Sequence, residues 1–288
     1  MPAARVATSV RPDPVRARER TLLLLATPAL LVIGVLFVWP LLRLLSMSVA
    51  DGTLVQFEKA ALDVLYVTVL WESIEIGLIV TVICLLLAYP VAMWLVQTSR
   101  FGFILGMFFL LLPFWTSVLV RTYAWMVLLG RSGVINRALR DLGWIDAPLP
   151  LLHNRLGVLI GIVHVMLPYM VIPIYAALLR IDPDLRRAAE GLGAPAWRAF
   201  ARITLPLSLP GVFAGCALVF VITLGFFITP ALLGGGRVMM ISMLIEQQVR
   251  EFLDWNFAAA LATVLLVVTL AVYAMLGRLT GGAGHAGR

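Results

Sequence analysis

The sequence predicts an all-α membrane protein with six transmembrane helices. Three observations predict it. First, 62% of the 288 residues are apolar and only 13% are charged, with a mean hydropathy of +1.02. A soluble domain is about 45–50% apolar, because it must cover its surface with polar groups. Second, the apolar residues gather in six runs, each near the ~20 residues that a helix needs to cross hydrocarbon. Third, the basic residues are concentrated between alternate runs, as in the segments that orient membrane helices. The composition excludes a soluble enzyme, a disordered chain and a disulfide scaffold. Cys84 and Cys216 sit within apolar runs and read as small core residues.

The runs lie at 22–45, 67–96, 103–129, 156–179, 207–233 and 257–276. The first follows a basic tail, 1–20, and Ser48-Val49-Ala50 offers a passable cleavage site. Its apolar stretch is too long for a signal sequence, so it reads as a retained span. Six spans place both termini on one side of the membrane. The tail 1–20, the turn 97–102, the loop 180–206 and the C-terminal segment hold thirteen arginines, against seven basic residues in the opposite loops. That excess predicts cytoplasmic termini, and it accounts for the net charge of +7 without nucleic acid. Pro28, Pro40, Pro90, Pro113, Pro168, Pro173, Pro210 and Pro230 fall in or at the ends of spans. Kinks suit a bundle that moves, although proline is also commoner in membrane helices generally.

The loop between the fourth and fifth spans predicts two short helices. Asp182 is a good N-cap and Pro183 a good first residue. Leu185, Ala188, Ala189 and Leu192 form a weakly apolar face, and Glu190 lies within pairing distance of Arg186 and Arg187. Gly193 stops the first helix. Pro195 starts the second, which runs through Trp197, Phe200 and Ile203, and Pro206 ends it. Small residues at the tip let another protein approach closely.

Ionisable residues within spans cost about 2.5–3.5 kcal/mol each at mid-helix. Glu72, Glu75 and Arg121 are the candidates. Thr68, Glu72 and Glu75 share one helical face, with Tyr89 near the same stripe. Two carboxylates there would attract a cationic solute, or lie hydrated at the membrane surface. Arg121 either lines the path or holds its span by pairing with a glutamate or with backbone carbonyls. Trp115, Tyr123, Tyr169 and Tyr175 could stack on ammonium groups, or simply pack. His164 reads as a packed histidine. No His/Cys/carboxylate cluster has ligand spacing, so neither a metal nor another cofactor is expected.

The 180–206 loop resembles the coupling loop of binding-protein-dependent ABC importer permeases. Their pattern is Glu-Ala-Ala, three residues, Gly, nine residues, Ile, one residue, Leu-Pro. Here Ala188-Ala189, Gly193, Ile203 and Leu205-Pro206 fit at the full spacing. Arg187 stands where the family usually has Glu, and Glu190 where Arg or Lys is common. The stretches Leu112-Pro113-Phe114-Trp115-Thr116-Ser117, Arg121-Thr122-Tyr123, Leu142-Gly143, Leu167-Pro168-Tyr169, Thr229-Pro230 and Leu233-Gly234-Gly235 resemble the polyamine (spermidine/putrescine) branch. The resemblance implies a permease domain at 21–280 with a coupling loop at 181–206, and a C-terminal tail at 281–288. It implies two copies of an ATPase subunit, a second and different permease chain, an extracytoplasmic solute-binding protein and a bacterial inner-membrane setting. Arg187, Ala188, Ala189, Glu190, Gly193, Ile203, Leu205 and Pro206 would couple to the ATPase. Glu72, Glu75, Trp115, Arg121 and Tyr123 are candidate path residues.

A phosphate-binding loop needs Gly-x-x-x-x-Gly-Lys, and the only lysine, Lys59, is not in one. The energy of ATP must therefore come from a partner. Three other functions compete. A carrier of another small solute, such as an amino-acid derivative or opine, would share the mechanism. An ion-coupled secondary carrier could use Glu72 and Glu75, but would leave the loop without a purpose. A rhomboid-like protease is suggested by Gly130-Arg131-Ser132-Gly133, yet the last span has no histidine to serve as base.

Overall fold

The computed structural model describes residues 27–28, 30–49 and 54–281. The expected tail 1–20, the start of the first span, Ala50 of the possible cleavage site and residues 282–288 lie outside the described residues.

Every regular element among the described residues is helical. The helices are α1 Leu30–Met47, α2 Val55–Leu62, α3 Val64–Gln97, α4 Arg100–Leu111, α5 Val118–Leu129 and α6 Val134–Asp141. They continue as α7 Arg155–Leu178, α8 Pro183–Gly191, α9 Ala196–Leu224, α10 Ile228–Gly234, α11 Ile241–Arg250 and α12 Trp255–Gly281. Six stretches have the length and hydropathy to cross a membrane.

Three helices make the core: α3, α7 and the span portion of α9. Val80, Cys84, Ala88 and Ala92 of α3 meet Ile162, Met166, Met170 and Ile174 of α7, with Val212 and Val219 of α9 closing the layer. Close approach of α9 to α7 depends on Gly211. A Cβ there would stand 2.5 Å from both the Ala177 Cβ and the Pro173 carbonyl oxygen. Gly215 faces Met170 in the same way, so a Gly-x-x-x-Gly face brings two backbones together. A second apolar cluster, Val69, Ile241, Leu244, Phe257 and Leu261, joins α3, α11 and α12 at the end of the bundle away from the 179–204 segment. The α1 span packs against α12 at the periphery and buries none of its residues.

Two expected spans are not single helices. The third, expected at 103–129, is broken. Pro113 follows Leu112 into a 3₁₀ turn, Leu112–Trp115, and α5 begins at Val118. Pro lacks an N–H and cannot extend an α-helix through its own position without loss. Three ring contacts show that α4 and α5 nonetheless form one crossing antiparallel to α7. Phe103 stacks on Tyr175 at 5.6 Å, Phe114 meets Tyr169 at 5.0 Å and Trp125 meets His164 at 5.5 Å. The fifth span, expected at 207–233, ends at Leu224. Gly225 begins a break, and Ile228–Gly234 is a separate short helix packed on α5 and α7. An apolar run hides the second break, because Gly225, Phe226 and Phe227 are as apolar as their flanks.

Pro206 does not end the second loop helix. Helical structure runs from Ala196 to Leu224, and Pro206 lies inside it. The turn just before it, Phe200–Thr204, is wound as a π-helix, with the Leu205 N–H donating to the Phe200 carbonyl five residues back. This wide turn leads into a proline that has no N–H to give. The second arm of the loop is therefore the stem of the fifth span.

Candidate functional site

The first arm of the helical elbow between α7 and α9 forms as the sequence predicts. The Asp182 carboxylate accepts from the Asp184 N–H at 2.9 Å, and Pro183 occupies the first turn of α8. Such a cap stabilises a helix start by about 1 kcal/mol. Gly193 ends α8 with φ +82°, a conformation that favours glycine, and the Ala194 N–H reaches back to the Ala189 carbonyl at 3.0 Å. The charge pairing differs in part from expectation. Arg186 pairs with Glu190 at 3.3 Å, whereas Arg187 pairs with Asp184 at 2.9 Å. All four groups are solvated, so the pairs orient side chains more than they stabilise.

The elbow presents an uncovered surface. Leu192 is 89% exposed and Trp197 66% exposed. Arg187, Ala188, Glu190, Gly193 and Pro206 are exposed, while Ala189 and Ile203 are half-buried and Leu205 is 37% exposed. Behind the elbow lies a cavity of about 540 Å³, lined by Met93, Val96, Ile181, Arg186, Phe200 and Thr204 among others. The stem is tied to α3 just beyond it. Tyr89 and Ser208 hydroxyls lie 2.8 Å apart, and Ser208 gives its one proton to the Leu205 carbonyl at 2.9 Å. Tyr89 is therefore the donor in this pair. Its ring also meets Phe200 edge-on at 5.7 Å. Tyr89 thus belongs to the elbow and not to the carboxylate face.

At the opposite end, Glu75 is not a free carboxylate. Its Oε1 lies 2.8 Å from Arg155 Nη2 in an ion pair, with the two side chains 44% and 42% exposed. Arg155 opens α7, whose start is fixed by the Asn154 side chain accepting from the Gly157 N–H at 2.9 Å. Glu72, Arg155, Arg237 and Asn154 line a small cavity of about 150 Å³. The mouth thus holds two carboxylates and two guanidinium groups, a neutral set. Sequence reasoning placed Arg155 only among loop charges. Its role depends on two helices meeting far apart in the chain, and no local signal carries that.

Arg121 is not paired with a glutamate among the described residues. Its Nη2 donates to the Thr116 carbonyl at 3.1 Å, a group freed by the break between α4 and α5. The Nε is buried and has no hydrogen-bond partner among the described residues. Next to it, Thr122 lies 3.4 Å from Thr229 and joins α5 to α10. Trp115 is 89% exposed and Tyr123 55% exposed, both turned away from the chain's own core. Tyr169 and Tyr175 pack on phenylalanines. His164 is a packed histidine that accepts from the Trp125 indole N–H at 3.2 Å. The cavity beside Ser132 is lined by Met126, Val127, Gly130, Gly133, Val134 and Arg137.

Comparison with known proteins agrees with this architecture. Residues 21–280 match the family described as binding-protein-dependent transport system inner membrane component. The chain is 38% identical over 212 residues to the spermidine/putrescine transport system permease protein PotB of Haemophilus influenzae, covering 73% of this chain and 74% of that one. It is 39% identical over 207 residues to PotB of Escherichia coli, covering 72% and 75%. It is also similar to the molybdenum transport system permease protein ModB of Haemophilus influenzae, 37% identical over 162 residues, covering 54% and 68%. Among solved structures, a chain of the bacterial alginate ABC transporter in complex with alginate pentasaccharide-bound periplasmic protein shares the fold. The TM-score is 0.71 at 20% identity, with 92% of this chain and 96% of that one covered. The elbow, the six crossings and these matches lead to one assignment: the chain belongs to the inner-membrane permease family of binding-protein-dependent ABC importers, a transport subunit and not an enzyme.

Proposed function

We propose that this chain is the permease of an importer for a polyamine, spermidine or putrescine. The observation that carries the reading is its 38–39% identity, over more than 200 residues, to permeases named for those solutes. The elbow end faces the cytoplasm, and both termini lie there, in keeping with the excess of arginine on that side. Residues 21–280 act as the permease domain. The exposed face of α8 with Arg187, Ala188, Ala189 and Glu190 docks on an ATPase subunit. Gly193 makes the turn, and Ile203, Leu205 and Pro206 carry the contact into the fifth span. Two ATPase copies, a different second permease and an extracytoplasmic binding protein complete the machine. The Glu72–Glu75 mouth admits the cation, with Arg155 as the group that the solute competes against. Trp115, Arg121 and Tyr123 lie further along the path or its seam. Closure of the ATPase pair favours one state of the bundle only through contacts that differ between states.

The test is reconstitution of the chain in vesicles with its ATPase, second permease and binding protein, followed by uptake of labelled spermidine and putrescine. Uptake that needs both ATP and the binding protein is expected. A binding protein that takes only solutes without an ammonium group, or uptake at full rate without the ATPase, overturns the reading.

A further inference from the structure

Arg121 is a span charge that no carboxylate answers among the described residues. Its depth follows from two contacts on either side of it, Phe114 with Tyr169 and Trp125 with His164. Both partners lie near the middle of the 24-residue α7. At 1.5 Å per residue, Arg121 is therefore about 14–17 Å from either end of that helix. An arginine side chain cannot span such a distance to a lipid headgroup. It also leans towards the start of its own helix, as helical side chains do, and that start is the mid-span break where it meets Thr116.

The guanidinium has five N–H donors. One is bonded to Thr116, and none meets a carboxylate among the described residues. The buried Nε has no partner. On the same stretch of α5, Leu119, Val120, Tyr123 and Val127 are exposed large side chains, so Arg121 sits at the edge of a face that this chain does not cover. At that depth an arginine pairs with an opposite charge or with backbone carbonyls, and the one carbonyl here leaves most of the guanidinium unmet.

We propose that the opposite charge is a carboxylate in a span of the second permease subunit, so that the seam between the two subunits beside the broken crossing is pinned by an ion pair at mid-membrane. This rests on the reading above that a second permease is present and that the solute is cationic. A cationic solute cannot neutralise Arg121, which leaves the neighbouring subunit as the source of negative charge. The pair would also remove a positive charge that otherwise repels the solute.

The experiment uses the full complex in membranes. Cys84 and Cys216 are replaced by Ala, Arg121 by Cys, and each Asp or Glu in the spans of the second permease by Cys in turn. Oxidation is expected to cross-link the two permeases from one carboxylate position. Arg121→Lys should keep more uptake than Arg121→Gln, because a brace on the Thr116 carbonyl alone would not require charge. Arg121→Glu should lower uptake at least about ten-fold, and the reciprocal change of the partner carboxylate to Arg should bring it back to within about three-fold. Copurifying permeases with no cross-linking position, or equal uptake by the Lys and Gln variants, overturns the ion pair while leaving the importer reading intact. An Arg121→Gln variant that loses affinity only for a solute bearing a carboxylate also overturns it. Failure of any second permease to copurify sinks both.

Discussion

Replacing Gly193 separates the backbone geometry of the elbow from every other property of it. Its φ is +82°, and a Cβ built on it meets nothing within 4 Å. A side chain there is penalised by backbone strain and not by collision. For an ordinary L residue that strain is about 1–2 kcal/mol. Asparagine, which tolerates this region, should cost less, and the β-branched valine should cost most. If the elbow must keep this turn to engage the ATPase, about 1–2 kcal/mol translates into a 5–30-fold weaker engagement. The assay is retention of the ATPase by the detergent-solubilised permease pair, with ATP hydrolysis stimulated by the loaded binding protein as the second readout. The expected order is Gly, Asn, Ala, Val, from best to worst. Thermal unfolding of the permease itself should move little, because with nothing around the added Cβ the turn can relax locally out of the strained conformation. An alanine variant that engages as well as wild type, or a valine variant better than asparagine, refutes the reasoning.

Gly211→Val should prevent the close approach of α9 to α7, since its first carbon alone would stand 2.5 Å from Ala177 and from the Pro173 carbonyl. Overpacking of about 1–3 kcal/mol or more is expected, read as a lower unfolding temperature in detergent. Tyr89→Phe removes the hydroxyl that donates to Ser208 and should cost about 0.5–1.5 kcal/mol, with uptake reduced but ATPase retention unchanged. Tyr89→Ala also removes the ring against Phe200 and should impair ATP-driven uptake further. Glu75→Gln breaks a half-exposed pair worth about 0–1 kcal/mol, so stability should barely change. Uptake should fall all the same, and the double variant with Arg155→Gln should show non-additivity; normal uptake by a well-assembled Glu75→Gln complex removes Glu75 from the path.

The elbow was legible because its signals are local. Asp182 beside Pro183 marks a start, and Gly193 a stop, without reference to the rest of the fold. The spans were legible because hydrocarbon demands a long apolar run wherever the helix packs. What hydropathy could not show is a break inside such a run. Residues 225–227 are as apolar as their neighbours, and Pro113 reads equally as a kink or as a break. Pro206 misled in the other direction, since a proline after a short helix usually ends it and here a wide turn lets the helix pass. The pairing at the charged mouth was out of reach for a different reason. The Glu75 partner is set by the packing of α3 on α7, and the sequence also places Arg131, Arg137 and Arg140 in the loop before α7. Arg121 shows the remaining limit: its depth was readable, but that it meets no carboxylate among the described residues depends on the packing of distant helices.

The unbroken passage of α9 from Trp197 to Leu224 has a mechanical corollary. Gly211, where this helix presses closest to α7, lies 14 residues from Trp197 and 13 from Leu224. Each side is then about 20 Å long, which describes a balance beam with its fulcrum at the centre. Pro210, missing one internal hydrogen bond, puts a pliable point of the beam next to the fulcrum, and the wide turn before Pro206 puts another in the outer arm. A shove of a few ångströms at Trp197 would swing the opposite tip the other way, less whatever the beam takes up by bending.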